Sequence, residues 1–574
     1  MTTTAEWAAN ANSQRESAHQ AIDQGVSVLK DNARSFARLS VAEKLGLLRT
    51  TMDRLAEVAE AWVRDGARAK GIPPDHGEEW LTGPNPTMRN LRLLVRTLEK
   101  VQSGQPILEE SQIRTRPDGR VEARVFPGDA IDGALFSGFT VSQLMMPGLT
   151  AADARQKAAG FYQKKDPEGG VSLILGAGNV SSIPPMDALT KMIGEGMVCV
   201  VKMNPVNEWS GPHLERAFSP FIERGFLQVV YGGAEVGSHL VNHAAIDDIH
   251  ITGSNHTHDM IVWGPPGEER ARRIAANDPV LKKKITSELG NVSPVAIVPA
   301  NYADSELEFI ARNIGAMITN NGSFNCNAAK LLITAEGWPQ KKALLDRIAA
   351  VLEATPTRLA YYPGAYSRYE RLTQGREVQK IGQGDERRLP WTLIRNVDST
   401  KKDDPIFSTE PFCAILSETT VPGTDPAEFI KNVTTFMNDT LWGTLNAMIV
   451  LPPALEASQS VGAELDKAIL ELRYGSVTIN HWPGLVYGMV IPAWGGHPSA
   501  TLANIQSGLG WVHNTNLLEG IEKTVLRGPL KVFPKPVWFA DNRRVEAVGR
   551  RLFQMEHHPS WLKVPGIVLQ ALQG

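Results

Sequence analysis

One cysteine of this 574-residue chain lies in an unusually polar stretch, ITNNGSFNCNAAKLLIT. Cys326 follows a predicted helix and precedes an apolar run that predicts a strand. A thiolate can add to a carbonyl carbon, whereas a free cysteine most often packs in a core. The asparagines beside Cys326 argue against an apolar pocket, and both interpretations stay open. Cys199 and Cys413 lie within apolar strands, which predicts packing roles for them.

Other residue types narrow the possible chemistry. Glu288, in SELGNVSP, precedes a glycine turn, where a carboxylate is either a general base or a solvated surface group. His250, His256 and His258 surround the stretch ITGSN without a partner carboxylate motif, so we predict no metal site. The chain has no G-x-S-x-G elbow, and a serine hydrolase would therefore lack its nucleophile.

Composition excludes several classes of protein. Lys+Arg of 59 against Asp+Glu of 62 gives a formal net charge of −3, too weak a field to attract nucleic acid. No apolar run approaches the roughly 18 residues that span a bilayer. The polar start shows no basic segment followed by an apolar core, as a secretion signal would. The three cysteines are too few for a disulfide framework. We expect a cytoplasmic protein with no membrane span and no nucleic-acid partner.

The chemistry-bearing residues must be positioned by elements of at least two kinds. Residues 15–105 have the apolar spacing of helices, and residues 120–150 read as short β-rich pieces. From GGVSLILGAGNV to IDDIHITGS, apolar strands alternate with helices, which predicts a doubly wound parallel sheet. A second α/β unit begins near SPVAIVPANY. Residues 355–405 are predicted to be an irregular surface insertion, and the last 40 or so residues an amphipathic helix with a docked tail.

Polar groups fall where strands of the predicted parallel sheet end. Lys202 closes one strand, and Thr252, Gly253 and Ser254 stand at another strand-to-helix junction, where free N–H groups favour an anion. The turn ILGAGNV resembles a phosphate loop but lacks the third glycine of the dinucleotide fingerprint. Ligands bind at this edge of such sheets. Dinucleotide binding and ordinary turns with a solvated lysine are both open on this evidence.

Several segments, taken in order between about residues 170 and 510, resemble the aldehyde dehydrogenase superfamily. SELGNVSP is similar to the family's E-L-G-G-K-x-P, for example, and STEPFCAIL to its E-x-F-G-P-V-L. The remaining similar segments are VVYGGAEVGSHLVNHAAIDDIHITGS, NNGSFNCNAAKLLIT, NDTLWGTLNAMIV and YGSVTIN with PAWGGHPSATLANIQSGLG.

The resemblance implies an aldehyde dehydrogenase-like α/β fold, with a Rossmann-type doubly wound cofactor domain, an α/β catalytic domain and a small β oligomerisation arm. The implied NAD(P)-binding domain, with its helical N-terminal region, takes residues 1–119, 151–285 and 481–514. The catalytic domain takes 286–480, the arm 120–150 and 515–535, and the C-terminal tail 536–574. The arm implies a homodimer or homotetramer.

The resemblance also implies the site residues. By position, Cys326 is the nucleophile, Glu288 the general base and Asn179 the side-chain donor of an oxyanion hole. Lys202 would contact the adenine ribose, the Thr252–Ser254 turn the pyrophosphate, and Glu410 with Phe412 the nicotinamide ribose and ring. The implied cofactor-binding residues are Lys202, Gly233, Thr252, Gly253, Ser254, Leu289, Glu410 and Phe412.

The implied activity is NAD- or NADP-dependent oxidation of a small-molecule aldehyde to a carboxylic acid. Glu288 favours hydrolysis of a cysteine thioester over its transfer to coenzyme A, because the acylating branch typically lacks that glutamate. Pro205 stands where NAD-preferring members often carry a glutamate, so either cofactor is expected. The alternatives are a coenzyme A-acylating enzyme and a non-catalytic protein of this fold. Trp482, Trp494 and Phe324 predict either an apolar substrate tunnel or core packing.

The sequence departs from the family pattern in several places. Ala177 and Gly178 precede Asn179 where an aromatic residue and a proline are usual, and the next proline is Pro184. The stretch from Gly322 to Cys326 holds one residue more than the usual G-x-x-C. Asn291, Val292 and Pro498 replace further family residues. The sequence therefore predicts a divergent member.

Overall fold

The computed structural model describes residues 4–574, with side chains described from His19 onward. Residues 1–3, part of the polar start from which no secretion signal was predicted, lie outside this range. A helical region opens the fold, as predicted, and α2 begins at a capping box in which Ser40 and Glu43 exchange hydrogen bonds. The helices are α1 (Thr4–Ala37), α2 (Val41–Ala69), α3 (Glu78–Thr82) and α4 (Pro84–Gln102).

Antiparallel strands follow the helical region. Strand β3 pairs with β2, and β2 pairs with β1. The prediction of β-rich pieces over 120–150 is confirmed, with one short helix between two of the strands. The elements are β1 (Ile113–Thr115), β2 (Val121–Phe126), α5 (Ala130–Leu135), β3 (Thr140–Met145) and α6 (Ala151–Gln156).

A five-stranded parallel sheet of order β6-β5-β4-β7-β8 forms the first α/β unit. The strand order reverses between β4 and β7, which is where ligands bind in such sheets. The apolar strands pack with the N-terminal helices in one core. The elements are β4 (Val171–Leu175), α7 (Ile183–Leu189), β5 (Val198–Lys202), α8 (Gly211–Ala217), α9 (Ser219–Ile222), β6 (Leu227–Val230), α10 (Ala234–Asn242), β7 (Asp248–Gly253), α11 (Asn255–Trp263), α12 (Glu268–Ala275) and β8 (Lys284–Leu289).

The second α/β unit is built on an 11-stranded sheet. Its parallel central strands are almost wholly buried, and Cys413 lies in that core, as predicted. The elements through the last of these central strands are β9 (Pro294–Ile297), α13 (Asp304–Thr319), β10 (Leu331–Ala335), α14 (Lys341–Glu353), α15 (Ala365–Thr373), β11 (Gln379–Ile381), β12 (Trp391–Val397), α16 (Pro405–Ser408), β13 (Ile415–Val421), α17 (Pro426–Asp439), β14 (Asn446–Val450), α18 (Pro453–Glu456), α19 (Gln459–Glu471) and β15 (Ser476–Ile479).

The prediction that residues 355–405 form an irregular surface insertion is wrong for much of that stretch. Helix α15 and strands β11 and β12 lie within it, and β12 pairs with β13 inside the large sheet. The run WTLIRNV is apolar enough to be buried, and Trp391 is 1% exposed. The polar residues on both sides of this run led to the prediction of a loop where the structure has a buried strand.

The last elements of the chain contact both the large sheet and the N-terminal helices. Strand β18 runs parallel to β15 and antiparallel to β3, so the predicted arm continues the large sheet. The predicted amphipathic helix near the C-terminus is α21, which packs against α3 and α4. The elements are α20 (Gly484–Met489), β16 (Ala493–Trp494), β17 (Val512–His513), β18 (Ile521–Arg527), α21 (Val545–His557) and α22 (Val564–Leu572).

The predicted domain boundaries stay predictions. Strand β8, Lys284–Leu289, crosses the predicted boundary after residue 285 and belongs wholly to the five-stranded sheet. Across residues 4–574, no helix is both long and apolar enough to cross a membrane.

Candidate active site

One cavity of about 860 Å³ opens between the carboxyl edge of the five-stranded sheet and the second α/β unit. This volume is in the range of small-molecule and cofactor pockets. Every residue that the resemblance implied for the site lines it: Asn179, Lys202, Gly233, Thr252, Gly253, Ser254, Glu288, Leu289, Cys326, Glu410 and Phe412. The fold thus brings these residues together, and their individual roles stay predictions.

The half of the cavity on the sheet side presents groups suited to a nucleotide. Burial lowers the pKa of Lys202 at the end of β5, against the opposing effect of Glu208. Gly233 precedes α10, and a Cβ at that position would meet no atom within 4 Å, which leaves the backbone open to a ligand. Ser254 caps the N-terminus of α11, and its hydroxyl accepts the Thr257 N–H at 3.2 Å.

The cysteine loop runs between α13 and β10, as predicted. Asn321, Gly322 and Ser323 have φ angles of 53°, 64° and 71°, so three successive residues adopt the left-handed conformation. The Ser293 hydroxyl donates to the Cys326 carbonyl at 2.8 Å, which fixes the backbone behind the thiol.

Asn179 lies in the loop after β4 and is 6% exposed. Its side-chain Nδ2 donates to the Phe324 carbonyl at 2.9 Å, and Asn321 Nδ2 donates to the Asn179 carbonyl at 3.0 Å. An amide carries two N–H groups, so one remains for a ligand in the cavity. Although Ala177 and Gly178 depart from the family pattern, Asn179 is still hydrogen-bonded to the cysteine loop.

Glu288 is buried at the end of β8, on the strand and not in a loop after it. Its Oε1 has no hydrogen-bond partner among the residues that the structure describes. Burial and the charge of Asp187 raise its pKa to about 8, although Trp494 and Cys326 favour the carboxylate. A carboxyl that titrates near neutral pH suits a general base.

Some groups around Cys326 oppose ionisation of its thiol, and one group favours it. Burial, Glu288 and Glu410 raise the pKa of the Cys326 thiol, and Lys330 lowers it. The Lys330 ammonium is 1% exposed, donates to the Ser323 carbonyl at 3.2 Å and lies 5.6 Å from the Phe412 ring centre. Sequence reasoning missed Lys330, although a lysine at the start of the apolar run KLLIT was a usable signal.

Glu410 and Phe412 line the same cavity as Cys326. Burial raises the pKa of Glu410 against the opposing charges of Lys330 and Arg368, and no described residue makes a hydrogen bond to its Oε1. A Cβ on Gly290 would collide with the Glu410 carboxyl, so this glycine lets the carboxylate approach the backbone.

A buried ion pair from the N-terminal region supports the cysteine loop. Glu78 of α3 accepts from Arg358 at 2.9 Å and from the Asn321 N–H at 3.2 Å. Burial alone would raise the pKa of Glu78, but Arg358 and His76 hold it at about 2. Sequence reasoning missed this pair, because its members are 280 residues apart.

The aromatic residues take three different places. Phe324 is 1% exposed and packs against Tyr361 and Phe412. Trp494 is fully buried beside Glu288. Only Trp482 of the three lines a second cavity, and its indole donates to the Asn327 carbonyl at 2.7 Å.

Comparisons with solved structures define the fold as that of aldehyde dehydrogenases. The NADP-dependent glyceraldehyde-3-phosphate dehydrogenase of Bacillus halodurans, solved with NADP, has a TM-score of 0.58 at 17% identity, over 89% of this chain and 91% of that one. The NAD-dependent aldehyde dehydrogenase of Sinorhizobium meliloti has a TM-score of 0.59 at 17% identity, over 90% and 88%.

Sequence comparison agrees with the fold. Residues 135–360 match the model of the Aldehyde dehydrogenase family. Geranial dehydrogenase of Castellaniella defragrans is 25% identical over 338 residues, which are 54% of this chain and 66% of that relative, just under two thirds of its length. Residues 135–360 thus resemble the aldehyde dehydrogenase family in sequence, as the sequence segments predicted, and the fold resembles that of its members.

Proposed function

We propose that this protein oxidises an aldehyde to a carboxylic acid with NAD or NADP as the acceptor. The observation that carries the proposal is the convergence of a cysteine, a carboxyl of raised pKa and an asparagine amide on one cofactor-sized cavity. Nucleophile, base and oxyanion donor must all be present for this chemistry. The names of the relatives and neighbours support the same reaction class.

The cavity fits a dinucleotide at both ends. Lys202, Gly233 and the Thr252–Ser254 turn offer an ammonium group, open backbone and a helix N-terminus to ribose and phosphates. Glu410 Oε1, which is buried and has no hydrogen-bond partner in the described part of the chain, suits a ribose hydroxyl. A bound nicotinamide would supply the hydride acceptor. Pro205 puts no carboxylate opposite a 2′-phosphate, so both cofactors are candidates.

Each of these residues acts in one step of the proposed reaction. The Cys326 thiolate, favoured by Lys330, adds to the aldehyde carbon, and the free Asn179 N–H stabilises the resulting oxyanion. Loss of hydride from that carbon leaves a thioester on Cys326. Glu288, as the carboxylate, removes a proton from water, whose oxygen attacks the thioester and releases the acid and the thiol.

An aldehyde panel assayed with NAD and NADP side by side tests this proposal. We expect NAD(P)H formation without coenzyme A, because Glu288 supplies hydrolysis. Turnover that requires coenzyme A and survives Glu288→Gln would favour the acylating alternative. Cytoplasmic location and a homodimer or homotetramer remain predictions from the sequence.

A further inference from the structure

A second cavity, of about 200 Å³, is lined in part by residues of the cysteine loop. Asn325 and Asn327, the two neighbours of Cys326 in sequence, both line it, and so does Val180, which follows Asn179. Cys326 itself lines the larger cavity. The cysteine loop therefore contributes residues to both cavities, and a substrate and a hydride acceptor must both reach Cys326.

The walls of the second cavity are mostly apolar. Helices α4, α5 and α21 and the segment around α20 supply most of them. The apolar side chains include Leu135, Phe136, Leu485, Met489, Leu552 and Met555. An aldehyde held here would lose its hydration shell, which favours a hydrocarbon chain.

Two arginines also line this cavity, and neither is free. Arg89 donates to the Met489 carbonyl at 2.8 Å, to Glu556 at 2.6 Å and to Asp132 at 3.0 Å. Arg92 donates to the other Glu556 oxygen at 2.5 Å and also pairs with Asp129 at 3.4 Å. Both guanidinium groups are largely buried, at 8% and 14% exposure.

Glu556 is the group shared by both arginines. It belongs to α21, so its carboxylate reaches the cavity from the C-terminal segment and gives one oxygen to each guanidinium. Arginine forks are well suited to a carboxylate, and here that place is already filled by the protein's own side chain. The acids opposite these arginines leave no net positive charge for an anionic substrate.

We propose that this cavity receives an uncharged, apolar aldehyde, and that Glu556 determines this specificity by occupying Arg89 and Arg92. The inference rests on the proposed aldehyde oxidation and adds the substrate class. Removing the Glu556 charge frees the N–H that each guanidinium gives to Glu556, while Arg89 stays paired with Asp132 and Arg92 with Asp129. The carboxylate of a substrate can then take the place of Glu556. An aldehyde that carries a carboxylate should then gain relative to an apolar one.

The test compares kcat/KM for hexanal and for succinic semialdehyde. The wild type is expected to favour hexanal by about tenfold or more. Glu556→Gln, nearly the same in shape, should raise the ratio of succinic semialdehyde to hexanal by about tenfold or more. Adding Arg92→Gln to Glu556→Gln should reverse that gain. Glu546→Gln is the matched control, since Glu546 is on the same helix but pairs with Arg550.

The outcomes separate the specificity from the reaction itself. Hexanal turnover with an unchanged ratio in Glu556→Gln, or the same change in Glu546→Gln, overturns the role of Glu556 and leaves the proposed oxidation standing. A wild type that prefers succinic semialdehyde also overturns it, and this arm needs no variant to fold. Turnover of neither aldehyde, nor of any other in the panel, overturns both proposals.

Discussion

Asn179 and Phe324 are joined by a hydrogen bond of 2.9 Å from the asparagine Nδ2 to the phenylalanine carbonyl. Phe324 stands two residues before Cys326, so this bond connects the loop after β4 to the cysteine loop. Asn179 also lines the cofactor-sized cavity, and its amide carries a second N–H besides the one in this bond. The proposed role of that N–H, as the donor to an oxyanion, is what the next substitution tests.

Asn179→Ala should lower kcat by about 10²–10³-fold, because a donor placed at a developing oxyanion is worth that much. The comparison is steady-state kinetics beside thermal unfolding of both proteins. A fall in kcat without a matching fall in the melting temperature is the expected pattern. An unchanged kcat would remove Asn179 from the chemistry.

Glu288→Gln should stop the reaction after hydride transfer, since the amide cannot deprotonate water. Rapid mixing is expected to give a burst of about one NAD(P)H per subunit, followed by a steady rate about 10²–10⁴-fold below that of the wild type. A steady rate equal to that of the wild type would show that another group activates the water.

The pH dependence follows from the same carboxyl. Burial and Asp187 raise the pKa of Glu288 to about 8, and only the deprotonated form can act as base. Thioester hydrolysis should therefore rise with pH up to about 8 and level off above it. The check is the burst-phase and steady-state rates measured from pH 6 to pH 10. A hydrolysis rate that is flat below pH 8 contradicts the assignment.

Lys330→Met should make the Cys326 thiol less reactive. The Lys330 cation lowers the pKa of that thiol, so its loss raises the pKa and leaves less thiolate at neutral pH. We expect alkylation of Cys326 by iodoacetamide to slow by about tenfold, which corresponds to one pKa unit. Lys284→Met is the control, because Lys284 is 61% exposed at the far end of β8. Equal slowing in both variants would refute the role of Lys330.

Glu78→Gln should destabilise the protein by about 3–5 kcal/mol, the usual cost of leaving one member of a buried ion pair unpaired. The pKa of Glu78 is held at about 2, below its usual 4.5, so its charge stabilises the fold above pH 4.5. That contribution is lost as the pH falls from about 4.5 to 2. Denaturant unfolding at pH 7 measures the cost.

The control for Glu78 is Glu269→Gln, which removes an exposed carboxylate from its pairs with Arg272 and Arg273. We expect a change within about 0.5 kcal/mol there. If Glu78→Gln lowered the free energy of unfolding by an equally small amount, the ion pair of Glu78 with Arg358 would contribute little to the stability of the protein.

Most of the strand–helix alternation could be read from the sequence, because its period is local. The runs VSLIL and VCVVK predict buried parallel strands, and both lie in the five-stranded sheet. The family-like segments located Cys326 and Glu288. The run WTLIRNV was missed because polar flanks on both sides made a short buried strand look like part of a loop.

The supporting groups of the site could not be predicted, because each depends on contacts far apart in the chain. Glu78 reaches Arg358, and Glu556 reaches Arg89 across 467 residues. A charged residue on a helix usually faces solvent, and nothing in its sequence neighbourhood indicates a buried partner. Lys330 differs, since its place within an apolar run was visible.

The most direct test of the central claim is NAD(P)H formation by the wild type and by Cys326→Ala across an aldehyde panel with both cofactors. Cys413→Ala serves as the control, since Cys413 is fully buried in the core of the second α/β unit. The account predicts turnover by the wild type and by Cys413→Ala, and a loss of at least about 10³-fold in Cys326→Ala. Equal rates in the wild type and Cys326→Ala, or no NAD(P)H from any aldehyde, would contradict it.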